Sequence, residues 1–174
     1  NPTRSAMLDI LQLMGADITL ENEREQSGEP VADIHVKSSQ LKGIDIPEQH
    51  VPVAIDEFPV VLVAAACAEG TTRLTGAAEL RVKESDRIQA MYEGLLALGI
   101  DAEATPDGMI VKGGQQFKGG EIHSHGDHRI AMAFAVAGMT ASAPVLINDC
   151  DNVATSFPGF VELAQPAGME ISHV

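Results

Sequence analysis

Aromatic side chains are nearly missing from this sequence. They make up 3% of its 174 residues, with no Trp and one Tyr. Sites that stack the bases of single-stranded nucleic acid are built from aromatics, so that class of binder is disfavoured. Positive charge is scarce as well: 11 Lys+Arg stand against 25 Asp+Glu, for a net charge of −14. A general binder of phosphate backbones needs the opposite balance. If the chain holds an anionic ligand, its few cations must be concentrated locally against its own field. Two cysteines, Cys67 and Cys150, are too few for a disulfide framework and fit a reducing compartment. Cys67 lies in a run of small apolar residues and reads as a buried thiol. No apolar run reaches the roughly 20 residues of a membrane span, and no stretch has the pattern of a signal peptide. The opening Asn1-Pro2-Thr3-Arg4, with no Met, reads as a cut from something longer.

What the chain does have is a core and a repeat. Hydrophobic residues make up 45%, enough to bury an interior and to exclude a disordered acidic tail. The length suits one domain or a large part of a bigger one. From Asp56-Glu57-Phe58-Pro59 the chain runs through the apolar Val60–Ala68, the strand-like Thr71–Thr75, a polar loop, a helical pattern over Ser85–Leu98, and Gly99. The same grammar restarts at Asp127, 71 positions after Asp56 (127 − 56): apolar Ile130–Ala137, strand-like Pro144–Asn148, a polar loop, a helix over Phe157–Ala167, and Gly168. A truncated copy of the ending opens the chain, Leu8–Met14 followed by Gly15. Two full units therefore follow the tail of a third.

Each unit specifies its elements. A helix apolar on every side is tolerable only if buried all round. The second helix is amphipathic, with Met91, Leu95 and Leu98 as its stripe, and ends at a Gly suited to the left-handed C′ position. Strands are expected at Ile100–Ala104 and Met169–Ser172, with a hairpin turn at Asp107-Gly108. Asp33–Lys37 alternates as a half-buried strand, and Glu21–Pro30 reads as a polar loop. The apolar helices should bundle at the centre, with sheets and amphipathic helices outside.

Charge clusters in Leu80-Arg81-Val82-Lys83-Glu84-Ser85-Asp86-Arg87-Ile88, five charges between Arg81 and Arg87. Ser85 is a plausible N-cap for the following helix. On spacing alone this is a solvated helix start with Glu84 paired to Arg87. Two cations at a helix N-terminus oppose the macrodipole, however, and with the free N–H groups there they suit an anion. Asp56, placed before an apolar helix, reads as a cap sooner than as a catalyst. Arg129, at the start of another buried helix, needs a carboxylate or an anion. His123, His125 and His128 share no single face and have no Cys nearby, so solvated loop histidines are expected and no metal.

These motifs resemble a known family. Leu80–Ile88, Asp127-His128-Arg129-Ile130-Ala131-Met132, Ile55-Asp56-Glu57-Phe58-Pro59 and Ala154-Thr155-Ser156-Phe157-Pro158 are similar, in order, to motifs of 5-enolpyruvylshikimate-3-phosphate (EPSP) synthases. The likeness covers essentially the whole chain and is nearest the glyphosate-insensitive bacterial subgroup. It implies an α/β fold, the inside-out α/β prism of repeated βαβαββ units. It also implies that residues 1–174 are most of the C-terminal domain of a two-domain enzyme: 1–54 closing one unit, 55–125 the second, 126–174 the third. The implied reaction joins the 5-hydroxyl of shikimate-3-phosphate to C2 of phosphoenolpyruvate and releases phosphate, in the cytoplasm, with no cofactor.

By the same resemblance Asp56 is the base near the 5-hydroxyl and Glu84 transfers a proton at the methylene carbon. Lys83 contacts shikimate-3-phosphate. Arg87 and Arg129 clamp phosphoenolpyruvate, and His128 adjoins that clamp. Forked guanidinium bonds suit carboxylate and phosphate. Thr155 stands where many relatives carry Lys, so part of the cationic clamp is absent or supplied from elsewhere. The partners implied are the two substrates and an N-terminal domain, with no nucleic acid and no membrane. The alternatives are a related enolpyruvyl transferase acting on UDP-N-acetylglucosamine, which lacks the Arg81–Arg87 run, and a non-catalytic binding module of the same fold.

Overall fold

A computed structural model describes residues 4–172; Asn1–Thr3, part of the opening read above as a cut, lie outside it. The helices are α1 (Ala6–Leu13), α2 (Phe58–Cys67), α3 (Arg87–Ala97), α4 (His128–Gly138), α5 (Asn152–Ser156) and α6 (Phe160–Ala164). The strands are β1 (Asp17–Gln26), β2 (Glu29–Lys37), β3 (Thr71–Leu74), β4 (Ala102–Thr105), β5 (Gly108–Lys112), β6 (Gly120–His123) and β7 (Val145–Asn148).

The two apolar helices pack against each other at the centre. Phe58, Leu62, Ile130 and Phe134 are fully enclosed. Alanines at 65 and 66 on α2, and at 133 and 137 on α4, are buried with them. The third helix of this core is α3, which buries Ile88, Met91 and Leu95. It comes close because residue 94 is Gly: a Cβ there would lie 2.2 Å from Cζ of Phe134.

The repeat is a structural one. Gly15, Gly99 and Gly168 follow their helices at φ of 94°, 82° and 96°. At each, the next residue donates back across the turn: Ala16 N–H to Leu11 O, Ile100 N–H to Leu95 O, Met169 N–H to Ala164 O, at 2.9, 2.9 and 3.1 Å. This is one Schellman-type ending used three times. The strands repeat too. β6 and β7 pair in parallel around α4, and bridges Lys42–Glu69 and Asp45–Arg73 set residues 42–45 parallel to β3 around α2. β5 then lies between β3 and β4, antiparallel to both.

Several expectations are corrected. Glu21–Pro30 is no loop but the tip of a long β1–β2 hairpin, turning through Ser27 and Gly28 at φ of 54° and 80°. Polar residues on both faces hide such a strand from an alternation rule. β2 is an exposed strand rather than a half-buried one, with Ile34 54% and Val36 65% accessible. The β4–β5 turn is Pro106-Asp107, with Gly108 already paired to Thr105. Gly108 is required for packing, since a Cβ would meet Leu74 O at 1.9 Å. The helix expected over Phe157–Ala167 is broken: α5 ends at Ser156, and α6 starts after Gly159, which adopts φ 79°. Met169–Ser172 forms no strand. Cys67 is exposed: it stands on the outward side of the last turn of α2, whose Ala65 and Ala66 are buried.

Candidate active site

Three helix N-termini meet on one rim. Asp56 and Glu57 lead into α2, Lys83 and Glu84 lead into α3, and Asp127 caps α4 ahead of His128 and Arg129. The cap of α3 is Asp86, whose carboxylate accepts from the Gln89 N–H, and not Ser85. The Ser85 hydroxyl instead donates to Asp127 at 3.1 Å.

Arg87 is the centre of the cluster. Its side chain is 1% exposed. Nε donates to Asp127 Oδ2 at 2.8 Å, Nη1 to Asp56 Oδ1 at 3.1 Å, and Nη2 to Glu84. The Glu84–Arg87 pairing expected from spacing is therefore present, within a larger network. Arg129 Nη1 donates to the Asp56 carbonyl at 3.0 Å and to Glu57 Oε1 at 3.3 Å, with Nη2 4.0 Å from the Asp56 carboxylate. Lys83 Nζ lies 3.6 Å from Asp56 Oδ1 and also bonds Glu79. Arg4 donates to both Asp56 and Glu57 at 3.1 Å. Asp56, Lys83, Glu84, Arg87 and Arg129, separated by up to 73 positions, thus converge. His128 is half-buried beside them, and among the described residues no hydrogen bond joins it to the cluster. His123 and His125 sit apart with ring centroids 6.4 Å from each other, and His125 faces Glu93. Among the described residues no group of His, Cys, Asp and Glu has a metal-binding arrangement.

Sequence reasoning missed three members. Arg4 carries no motif signal, and Glu57, although inside the Ile55–Pro59 motif, is not singled out there. Asp127 carried one: its offset of 71 from Asp56 marks it as the equivalent acid of the next unit.

Electrostatics sort the acids. Burial alone pushes the Asp56 carboxyl up, but Arg129, Lys83, Arg4 and Arg87 together outweigh it, and the group lies below its ordinary value. Asp127 behaves alike: burial raises it, and the hydrogen bonds and charge of Arg87, the Arg129 N–H and the Ser85 hydroxyl bring it below the usual range. Lys83 is raised, first by its hydrogen bond to Glu79, against burial, and then by Asp56. Asp56 is 22% exposed and Glu84 51%, so both can reach a ligand. A cleft of about 180 Å³ opens beside Asp56, Glu57 and Arg129, walled by Pro59, Met132 and Val136. Ionised carboxylates and forked cations at helix N-termini can exchange protons with a bound molecule and hold its anionic groups.

The fold and the site define a repeat-built α/β protein with an acid–guanidinium centre where its helices begin. The family model "EPSP synthase (3-phosphoshikimate 1-carboxyvinyltransferase)" matches residues 1–163. The chain is 64% identical to the 3-phosphoshikimate 1-carboxyvinyltransferase of Alkalilimnicola ehrlichii, over 99% of this chain and 39% of that protein. It is 61% identical to that of Nitrosococcus oceani over the same shares. The solved structure of EPSP synthase from Acinetobacter baumannii superposes with a TM-score of 0.94 at 59% identity, covering 97% of this chain and 40% of the other. The chain belongs to the EPSP synthase family and has its mixed α/β fold. It spans about 39% of the length of these curated relatives.

Proposed function

We propose that this chain carries one side of the active site of an enzyme that transfers the enolpyruvyl group of phosphoenolpyruvate to the 5-hydroxyl of shikimate-3-phosphate. The observation that carries the reading is the convergence of Asp56, Glu84, Arg87 and Arg129 at the N-termini of three helices. Asp56 takes the proton of the 5-hydroxyl as its oxygen attacks C2 of phosphoenolpyruvate. Glu84 delivers a proton to the methylene carbon, closing a tetrahedral adduct. Loss of a proton from the resulting methyl group and departure of phosphate then restore the double bond. Lys83 faces shikimate-3-phosphate, Arg87 and Arg129 hold the carboxylate and phosphate of phosphoenolpyruvate, and His128 flanks them.

The pairing in the ligand-free site supports these roles. Each cation there is neutralised by a carboxylate, so an incoming anion exchanges places with Asp56 or Glu84 and frees that acid for proton transfer. An ionised Asp56 at neutral pH is what a base requires.

The relatives are more than twice as long, which supports a place within a longer enzyme; the reading puts the chain in the C-terminal domain of a cytoplasmic two-domain enzyme. An N-terminal domain then completes the site. The four motifs favour the glyphosate-insensitive subgroup. The test is steady-state phosphate release from the two substrates. The 174-residue chain alone is expected to give no significant turnover, and the chain combined with the N-terminal half is expected to give turnover. Substantial release from the chain alone would refute the half-site reading.

A further inference from the structure

Asp56 and Asp127 hold the same place in successive repeat units, each just before a central apolar helix. Their surroundings have diverged. Asp56 borders the open cleft. Asp127 is 0% exposed and has both oxygens engaged: Oδ1 accepts from the Arg129 N–H at 2.9 Å and from Arg87 Nη2 at 3.4 Å, and Oδ2 accepts from Arg87 Nε at 2.8 Å and the Ser85 hydroxyl at 3.1 Å. A carboxylate offers about four acceptor positions, and here all are filled. Asp127 has none left for a substrate hydroxyl.

We propose that Asp127 is a positioning residue, the buried counterpart of Asp56, which sets the plane of the Arg87 guanidinium and the start of α4 so that Arg87 and Arg129 present their N–H groups to one anionic ligand. The proposal rests on the functional reading above, in which those two arginines clamp phosphoenolpyruvate. The geometry is specific. Side-on donation from Nε and Nη2 to one carboxylate fixes the rotation of a guanidinium. The remaining N–H groups of Arg87 then point at Asp56 and Glu84, where the ligand binds. The same carboxylate caps α4 and so places the backbone of Arg129. Ser85 braces it from α3's leading loop. One buried acid thus ties together two arginines 42 positions apart in sequence.

The test uses the full-length enzyme with Asp127→Asn, Ser85→Ala, Arg87→Lys and the double variant Asp127→Asn/Arg87→Lys. Asn keeps the shape but turns an N–H donor toward Arg87 or Ser85. Asp127→Asn is expected to raise KM for phosphoenolpyruvate about tenfold or more, the worth of one charge-assisted hydrogen bond, with a smaller fall in kcat. The acidic limb of its kcat profile should stay where the parent's is, because Asp56 remains the base. Ser85→Ala should move KM the same way and less. The double variant should be no worse than Arg87→Lys alone to within about twofold, since the side-chain oxygen of Asn still accepts the Arg129 N–H and only the tie to Arg87 is lost. A parental KM in folded Asp127→Asn, losses that multiply in the double variant, or loss of the acidic limb would overturn the proposal. If Asp127→Asn does not fold, Ser85→Ala decides: a raised KM supports it and an unchanged one sinks it. A full-length parent with no enolpyruvyl transfer would instead overturn the functional reading, and the positioning role with it.

Discussion

Glu84 and Arg129 are both charged residues on one rim, yet substituting them should have opposite kinetic signatures. Glu84 is half exposed and, among the described residues, tied to the site only through Arg87, as suits a group that moves protons. Glu84→Gln in the full-length enzyme should leave phosphoenolpyruvate binding close to parental and lower kcat by about 10²-fold or more. Arg129→Ala should instead weaken phosphoenolpyruvate binding by ~1.5–3 kcal/mol for each charge-assisted bond lost. Ligand titration beside steady-state kinetics separates the two, and a Glu84→Gln enzyme with full kcat would remove Glu84 from the mechanism. These residues were legible in the sequence because each sits in a compact motif at a helix start. Arg4 was not, and Glu57 was not singled out within its Ile55–Pro59 motif, because what sets them apart is the facing of Arg4 to Asp56 and of Glu57 to Arg129 across the fold.

The elements owe their form to local rules and their fit to contacts between them. The three Gly endings are local, since a helix that must stop needs a left-handed residue wherever it lies. Gly94 is different. In a free helix, Ala there would gain about 1 kcal/mol over Gly. In this chain the added Cβ collides with Phe134, which is fully buried and has nowhere to go. Overpacking costs ~1–3 kcal/mol even in tolerant cores, and a 2.2 Å approach falls at the upper end. Gly94→Ala should therefore lower Tm by a few degrees in a thermal melt, and an unchanged or higher Tm would show that α3 and α4 can separate without cost. Two of the misread stretches have local causes. The Glu21–Pro30 part of the β1–β2 hairpin is polar on both faces and has no period to detect. The last amphipathic stretch looks continuous in sequence, but Pro158-Gly159 interrupts it.

At the scale of the molecule, a chain of net charge −14 gathers four of its 11 basic residues, Arg4, Lys83, Arg87 and Arg129, around one site. Two of the acids there, Asp56 and Asp127, are held ionised by those cations, and this makes stability depend on pH. Asp56 and Asp127 lie below their ordinary value in the folded chain, so the folded state binds fewer protons than the unfolded one in acid. Their contribution is fully present at neutral pH and is lost as pH falls through the ordinary carboxylate range toward the depressed folded values. Thermal melts should show Tm constant near neutrality and falling in that acid window, with a smaller fall in Asp127→Asn. An identical pH dependence in parent and variant would sink this account. The repeat unit, the buried helices and the helix starts bearing the site motifs were determined by the order of residues alone, because hydrophobic period, capping and Gly endings act within a few positions. Only the tertiary structure decided which of two equivalent aspartates would border the open cleft and which would be shut in with Arg87. Burial and hydrogen-bond partnership are set by which helix ends meet in space, and the residues that join them lie 31 or more positions apart along the chain.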